Sequence, residues 1–157
     1  KAGHAIPVIA AGGVYTGEDI KKYMDLGASG VQMGTRFVAT YECDADDRFK
    51  QAYVNAKQED VTIIKSPVGM PGRALVNNFI ESMRDGGKTC EQEKTPYCIA
   101  AALINAMKGN LERGFAFCGE NVARVNGIVS VHELISSLQR EFDAMLNKPA
   151  ATASVKA

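Results

Sequence analysis

Tryptophan is absent from these 157 residues, histidine occurs twice, and 18 lysines and arginines are cancelled by 18 aspartates and glutamates. The zero net charge removes the broad positive field that nucleic acid or an anionic membrane would need, so neither partner is expected. No apolar run approaches the ~20 residues of a membrane span. The opening stretch from Lys1 to Pro7 has no signal-peptide pattern, and a cytoplasmic location is expected. The four cysteines, Cys43, Cys90, Cys98 and Cys118, include no C-x-x-C pair, which argues against a zinc ribbon or a thioredoxin-like motif. They read as buried or bystander thiols, although Cys90 and Cys98 lie close enough in sequence to leave a paired role open. Ser66 sits in no Gly-x-Ser-x-Gly elbow, so a hydrolase nucleophile has little support. Glu42, Asp44, Asp46 and Asp47 lack calcium-loop spacing, and acidic residues suit the start of a helix, so no metal is expected. Repeats and low-complexity segments are also missing.

What is present is an ordinary globular composition, 46% hydrophobic and 23% charged, which predicts a chain able to bury a core. Ile6-Pro7-Val8-Ile9-Ala10-Ala11 is short, continuously apolar and rich in β-branched residues, the pattern of a strand buried on both faces in a parallel sheet. Thr16 and Asp19 have capping-box spacing, and Ile20, Tyr23, Met24 and Leu26 supply an apolar helix face ended by Gly27. Gly30-Val31-Gln32-Met33 reads as a second strand, completing a right-handed β-α-β unit.

Beyond Asp44 the pattern turns mainly helical. Asp44 or Asp46 is placed to cap a helix carrying Phe49, Tyr53 and Val54, and Val61 to Ile64 forms a possible short strand. Two prolines and two glycines make Ser66 to Arg73 a loop, and helices are expected over 74–84, 96–107 and 131–146. The tail 148–157 is small and polar enough to be disordered.

Two glycine turns carry the chemistry. Gly12-Gly13 and Gly34-Thr35 each follow a parallel strand and each lead toward a helix. Glycine adopts positive φ freely and lets backbone N–H groups approach phosphate oxygens, and a helix N-terminus adds partial positive charge. The plainer alternative, two tight strand-to-helix turns, stays open, as it does for Arg36, which suits either a phosphate partner or a structural ion pair.

The segments Ile6 to Val14 and Leu26 to Phe37 closely resemble the last two strand-and-loop segments of the nitronate monooxygenase family, which includes the FMN-dependent enoyl-acyl-carrier-protein reductases. Lys65 to Ala74, Thr95 to Ala100 and Phe117-Cys118-Gly119-Glu120-Asn121 are similar to segments beyond the barrel in that family. The resemblance implies a TIM (β/α)8 barrel holding FMN, of which this α/β chain is the C-terminal fragment: residues 1–43 as the last two βα units, 44–147 as a mainly helical region. It assigns cofactor contacts to Gly12, Gly13, Gln32, Met33, Gly34 and Thr35, and a substrate or lid role to Met70 and Arg73 in the proline-rich loop. A full barrel takes about 250 residues and eight strands, so six strands, further flavin contacts and the family's histidine are expected outside this chain. His4 precedes the first strand and His132 opens the last helix, so neither inherits that catalytic role. Three functions follow: oxidation of alkyl nitronates by oxygen, reduction of an enoyl thioester with NAD(P)H, or a truncated non-catalytic module that binds a phosphate-bearing ligand or serves assembly. Incomplete, the barrel fragment is expected to self-associate or to require its missing portion.

Overall fold

The computed structural model describes residues 6–84 and 97–147. Strand β1 (Ile9–Ala11), helix α1 (Gly17–Asp25) and strand β2 (Gly30–Gln32) form the expected parallel unit, with Ile9 opposite Gly30, Ala10 opposite Val31 and Ala11 opposite Gln32. Helix α1 starts where the capping box predicts. The Thr16 hydroxyl accepts from the Asp19 N–H, and the Asp19 carboxylate accepts from the N–H groups of Tyr15 and Thr16. Burial pushes the Asp19 carboxyl up, but these bonds outweigh it and hold the group below its ordinary range.

The expectation that these strands are buried on both faces is corrected. Ile6, Val8 and Ile9 are 77%, 62% and 54% exposed. Their sheet has only two strands among the described residues, so the apolar sequence has no second neighbour to cover it.

A single helical turn, α2 (Thr35–Val38), follows β2, and α3 (Asp47–Val54) is capped by Asp46, whose side chain accepts from the Arg48 N–H. Next comes a correction to the predicted loop and helix. Strands β3 (Val61–Lys65) and β4 (Pro71–Leu75) form an antiparallel hairpin with Val61 opposite Leu75 and Lys65 opposite Pro71. Arg73 therefore lies in a strand opposite Ile63, and Ala74 and Leu75 are strand rather than helix. Pro71 is tolerated because it begins its strand. Helix α4 (Asn78–Arg84) starts only after Asn77, whose side-chain oxygen accepts from the Ile80 N–H while its amide donates to the carbonyls of Leu111 and Gly114. Helix α5 (Ile99–Met107) and helix α6 (Val131–Leu146) complete the chain, with 3-10 turns at Gln58–Asp60, Leu111–Arg113 and Glu120–Arg124. The region after residue 43 thus carries an antiparallel hairpin among its helices. Cys90, His4 and the tail 148–157 lie outside the described residues.

Burial explains this arrangement. Tyr53, Leu75, Ala116 and Val122 form one core cluster, and Ala74, Ile80, Ala102 and Phe115 a second beneath the hairpin. Phe115 meets Tyr97 and Phe117 edge-to-face, with centroids 5.8 and 4.9 Å apart, a favoured ring geometry. The segment from Ala116 to Cys118 runs along β4: the Leu75 N–H donates to the Ala116 carbonyl and the Cys118 N–H to the Arg73 carbonyl. A third cluster, Tyr15, Ala39 and Val125, ties this region to the β-α-β unit. Lys50 is buried, its ammonium 3.5 Å from the Tyr41 carbonyl and 3.9 Å from Asp47.

Candidate functional site

Both glycine turns open to solvent. Gly12 and Gly13 have φ of 87° and 72°, a backbone that side-chain-bearing residues rarely adopt. Gly34 has φ of −116°, which any residue tolerates. A β-carbon built at Gly12 or Gly34 meets no atom within 4 Å. The space beside both turns is therefore free of protein.

The turns do not stand alone. The backbone leaving β4's neighbour at Cys118 enters Gly119–Arg124 and touches both of them. The Gly119 N–H donates to the Thr35 hydroxyl oxygen at 2.8 Å, and the Asn121 amide donates to the Gly13 carbonyl at 3.1 Å. Tyr15, two residues past Gly13, donates its hydroxyl to the Arg124 carbonyl at 2.6 Å. Arg36, the residue after Thr35, donates to the Tyr15 carbonyl at 2.9 Å. The guanidinium carbons of Arg36 and Arg124 sit 4.5 and 4.2 Å from the Tyr15 ring centroid, within cation–π range. Burial raises the Tyr15 phenol, and the two cations only partly offset it. Three segments distant in sequence are thus locked into one assembly around Tyr15.

Several sequence readings change here. Among the described residues Arg36 pairs with no carboxylate, and not all its donors are free for a ligand, since it binds and stacks on Tyr15. The helix-terminal charge expected behind each turn is also mostly unavailable. The first N–H of α1, at Gly17, donates to the Glu141 carboxylate of α6 at 2.7 Å, and α2 is a single turn. Gln32 is exposed, whereas Met33 joins Val31, Ile20, Met24, Phe37 and Phe142 in lining an apolar groove of about 470 Å³ between α1 and α6. Side chains alternate along a strand, so β2 sends Gln32 and Met33 to opposite faces. Met33 is left with its backbone near the turns.

Arg73 approaches the same assembly from outside, 3.5 Å from the Glu120 carboxylate, while Met70 stays 71% exposed at the turn of the hairpin. His132 is exposed at the start of α6, lining an open cleft with Ser136 and Arg140. Glu42 accepts from the Val131 N–H and Asp46 pairs with Arg48, and among the described residues no group of three or more metal-ligating side chains gathers. Cys43, Cys98 and Cys118 are free thiols. Among the described residues no helix is long and apolar enough to cross a membrane. Gly119, Asn121, Tyr15 and Arg124 escaped the sequence reading of the site. Phe117 to Asn121 stood out only as a family-like segment, because nothing local in it points to residues about a hundred positions away.

A parallel β-α-β unit with two open glycine turns, clasped by a segment from a later hairpin-and-helix region, defines this as an α/β protein with a candidate ligand end. The family description "Nitronate monooxygenase" matches residues 1–141, and the chain belongs to that family. It is 32% identical to a "Probable nitronate monooxygenase" of Staphylococcus saprophyticus over 91% of this chain and 41% of that protein. A second, from Staphylococcus haemolyticus, is 38% identical over 66% of this chain and 28% of its own length. Among solved structures, FabK from Thermotoga maritima superposes with a TM-score of 0.78 at 31% identity, covering 91% of this chain and 46% of that one. A nitroalkane oxidase from Streptomyces ansochromogenes shares the fold, with a TM-score of 0.69 at 23% identity over 90% and 40% of the two chains. This chain spans less than half the length of these relatives.

Proposed function

We propose that this chain is the FMN-phosphate-binding part of a flavin-dependent oxidoreductase that oxidises alkyl nitronates with oxygen. The observation that carries this reading is the pair of glycine turns held side by side, with open space where β-carbons at Gly12 and Gly34 would stand. That geometry fits a phosphate. Gly12 and Gly34 present backbone without steric cover, and the Thr35 hydroxyl, whose oxygen already accepts from Gly119, keeps its proton free to donate outward. Gln32 faces the same exposed side of β2. Bound FMN would take electrons from the substrate and pass them on to oxygen.

On this reading β1 and β2 are the last two strand units of a (β/α)8 barrel, whose phosphate site commonly lies in the loops after those strands. Residues 1–43 carry the cradle and 44–147 the scaffold that holds it. Met70 and Arg73 on the hairpin are the substrate or lid candidates, and the proton-handling residue lies outside the chain. Reduction of an enoyl thioester by NAD(P)H is the sibling reading, because a phosphate cradle does not distinguish the two substrates. A non-catalytic phosphate-binding or assembly module is the reading from another class.

Flavin titration decides between them. The chain alone is expected to bind FMN weakly or not at all and to show no efficient turnover. The same segment within a complete barrel is expected to show a flavin absorption spectrum and nitronate-dependent oxygen uptake. NAD(P)H oxidation dependent on an enoyl thioester, without nitronate-dependent oxygen uptake, would select the sibling reading. A complete barrel that holds no flavin would leave the assembly module.

A further inference from the structure

We propose that Asn121 is a positioning residue for the phosphate cradle, acting with the Gly119 N–H to turn acceptor oxygens away from an anionic ligand; this rests on the phosphate-binding reading above. Two consecutive glycines at positive φ form a backbone with no side chains to restrain it, so the peptide after Gly13 rotates easily. Its carbonyl oxygen repels a phosphate if it swings toward the ligand. The Asn121 amide occupies that oxygen at 3.1 Å and directs it toward the Glu120–Arg124 turn. The peptide is planar and trans, so holding the Gly13 carbonyl also fixes the direction of the Val14 N–H.

The second turn is treated the same way. The Gly119 N–H, two residues before Asn121, occupies one lone pair of the Thr35 hydroxyl oxygen at 2.8 Å and leaves its proton to point elsewhere. One short segment thereby sorts the polarity of both turns: acceptors toward itself, donors toward the open space. Asn121 suits this task because its amide offers two donors on a short stem. It is held from behind by Val122, which is fully buried, and by the Tyr15 hydroxyl on the Arg124 carbonyl.

The test compares FMN with riboflavin, which lacks the phosphate, in titrations of this segment within a complete barrel and of its Asn121→Leu, Asn121→Gln and Gly34→Val variants, with thermal midpoints measured alongside. Asn121→Leu is expected to weaken FMN binding about five-fold, the scale of one lost hydrogen bond, with riboflavin binding and the thermal midpoint unchanged. Asn121→Gln keeps the amide and is expected to restore most of the affinity. If Asn121→Leu does not fold, the same comparison is made with Asn121→Ser. FMN binding undiminished in the variant, or FMN and riboflavin weakened alike, overturns the proposal while leaving the cradle intact, provided Gly34→Val still loses FMN. Failure of the parent to bind FMN, or equal FMN binding by Gly34→Val, removes the cradle itself and the proposal with it.

Discussion

Glycine is used in two different ways at the turns, and substitution separates them. Gly34 has an ordinary backbone and open space around its β-carbon position, so Gly34→Val should fold normally, and only the ligand should notice it. We expect a thermal midpoint within a few degrees of the parent and at least about ten-fold weaker FMN binding, on the order of one steric block. Gly13→Ala differs. At φ of 72° it should cost roughly 1–2 kcal/mol of stability before any ligand is added. His132→Ala should change neither quantity. At Cys118, burial raises the thiol to about 11, with Arg73 opposing only in part. The folded protein therefore keeps a proton that the unfolded chain has already released, and stability should fall as pH rises from about 9 to about 11. Alkylation of Cys118 at pH 8 should accordingly be much slower in the folded protein than in the denatured chain; equal rates would contradict this protonation state.

Helices α1 and α6 pack closely enough that no side chain fits between them at Gly17. Gly17 lies so close to the Leu138 carbonyl and the Phe142 N–H that a β-carbon there would overlap α6 backbone. Backbone cannot move aside as a side-chain end can, so Gly17→Ala should cost about 3 kcal/mol, the upper range for overpacking. The joint is also electrostatic: Glu141 caps α1 from across the interface, its other oxygen accepting from Ser137. At the far end of this pairing, Ser130 and Glu133 form the capping box that starts α6. Ser130→Ala should lower stability by roughly 1 kcal/mol, read as a lower urea midpoint with an unchanged slope. The hairpin β3–β4 has a connecting role that its composition hides, because it lays Ala116 to Cys118 alongside itself and so delivers Gly119 to the turns.

For the molecule as a whole, the exposed strand β1 and the apolar groove between α1 and α6 lie close together. Val8 and Ile9 on the strand, and Met24 and Ile135 on the two helices, are all exposed. Among the described residues this parallel sheet has two strands and no further neighbour on either edge, which favours pairing with another chain. We expect the 157-residue chain to self-associate, with sedimentation coefficients rising with concentration. Adding the missing strands in the same polypeptide should abolish that dependence. A monomer at all concentrations would show that this surface is tolerated in water.

Local chemistry was legible in the sequence wherever a few neighbouring residues suffice. Thr16 with Asp19, the start of α6 at Val131 and the parallel pairing of the two apolar strands each depend on a handful of positions, so they followed from residue type and spacing. The strand over Ala74 and Leu75 was missed because both residues favour helix intrinsically, and pairing with Thr62 and Val61 overrode that preference. Met33 was misplaced for a related reason: a period of two puts it opposite Gln32, but only α1 and α6 reveal which face is which. The clasp from Gly119 to Arg124 belongs wholly to the tertiary structure. Its bonds to Gly13, Tyr15 and Thr35 join residues about a hundred positions apart, and they exist only because β4, the aromatic cluster around Phe115 and the buried Val122 bring that segment to the turns.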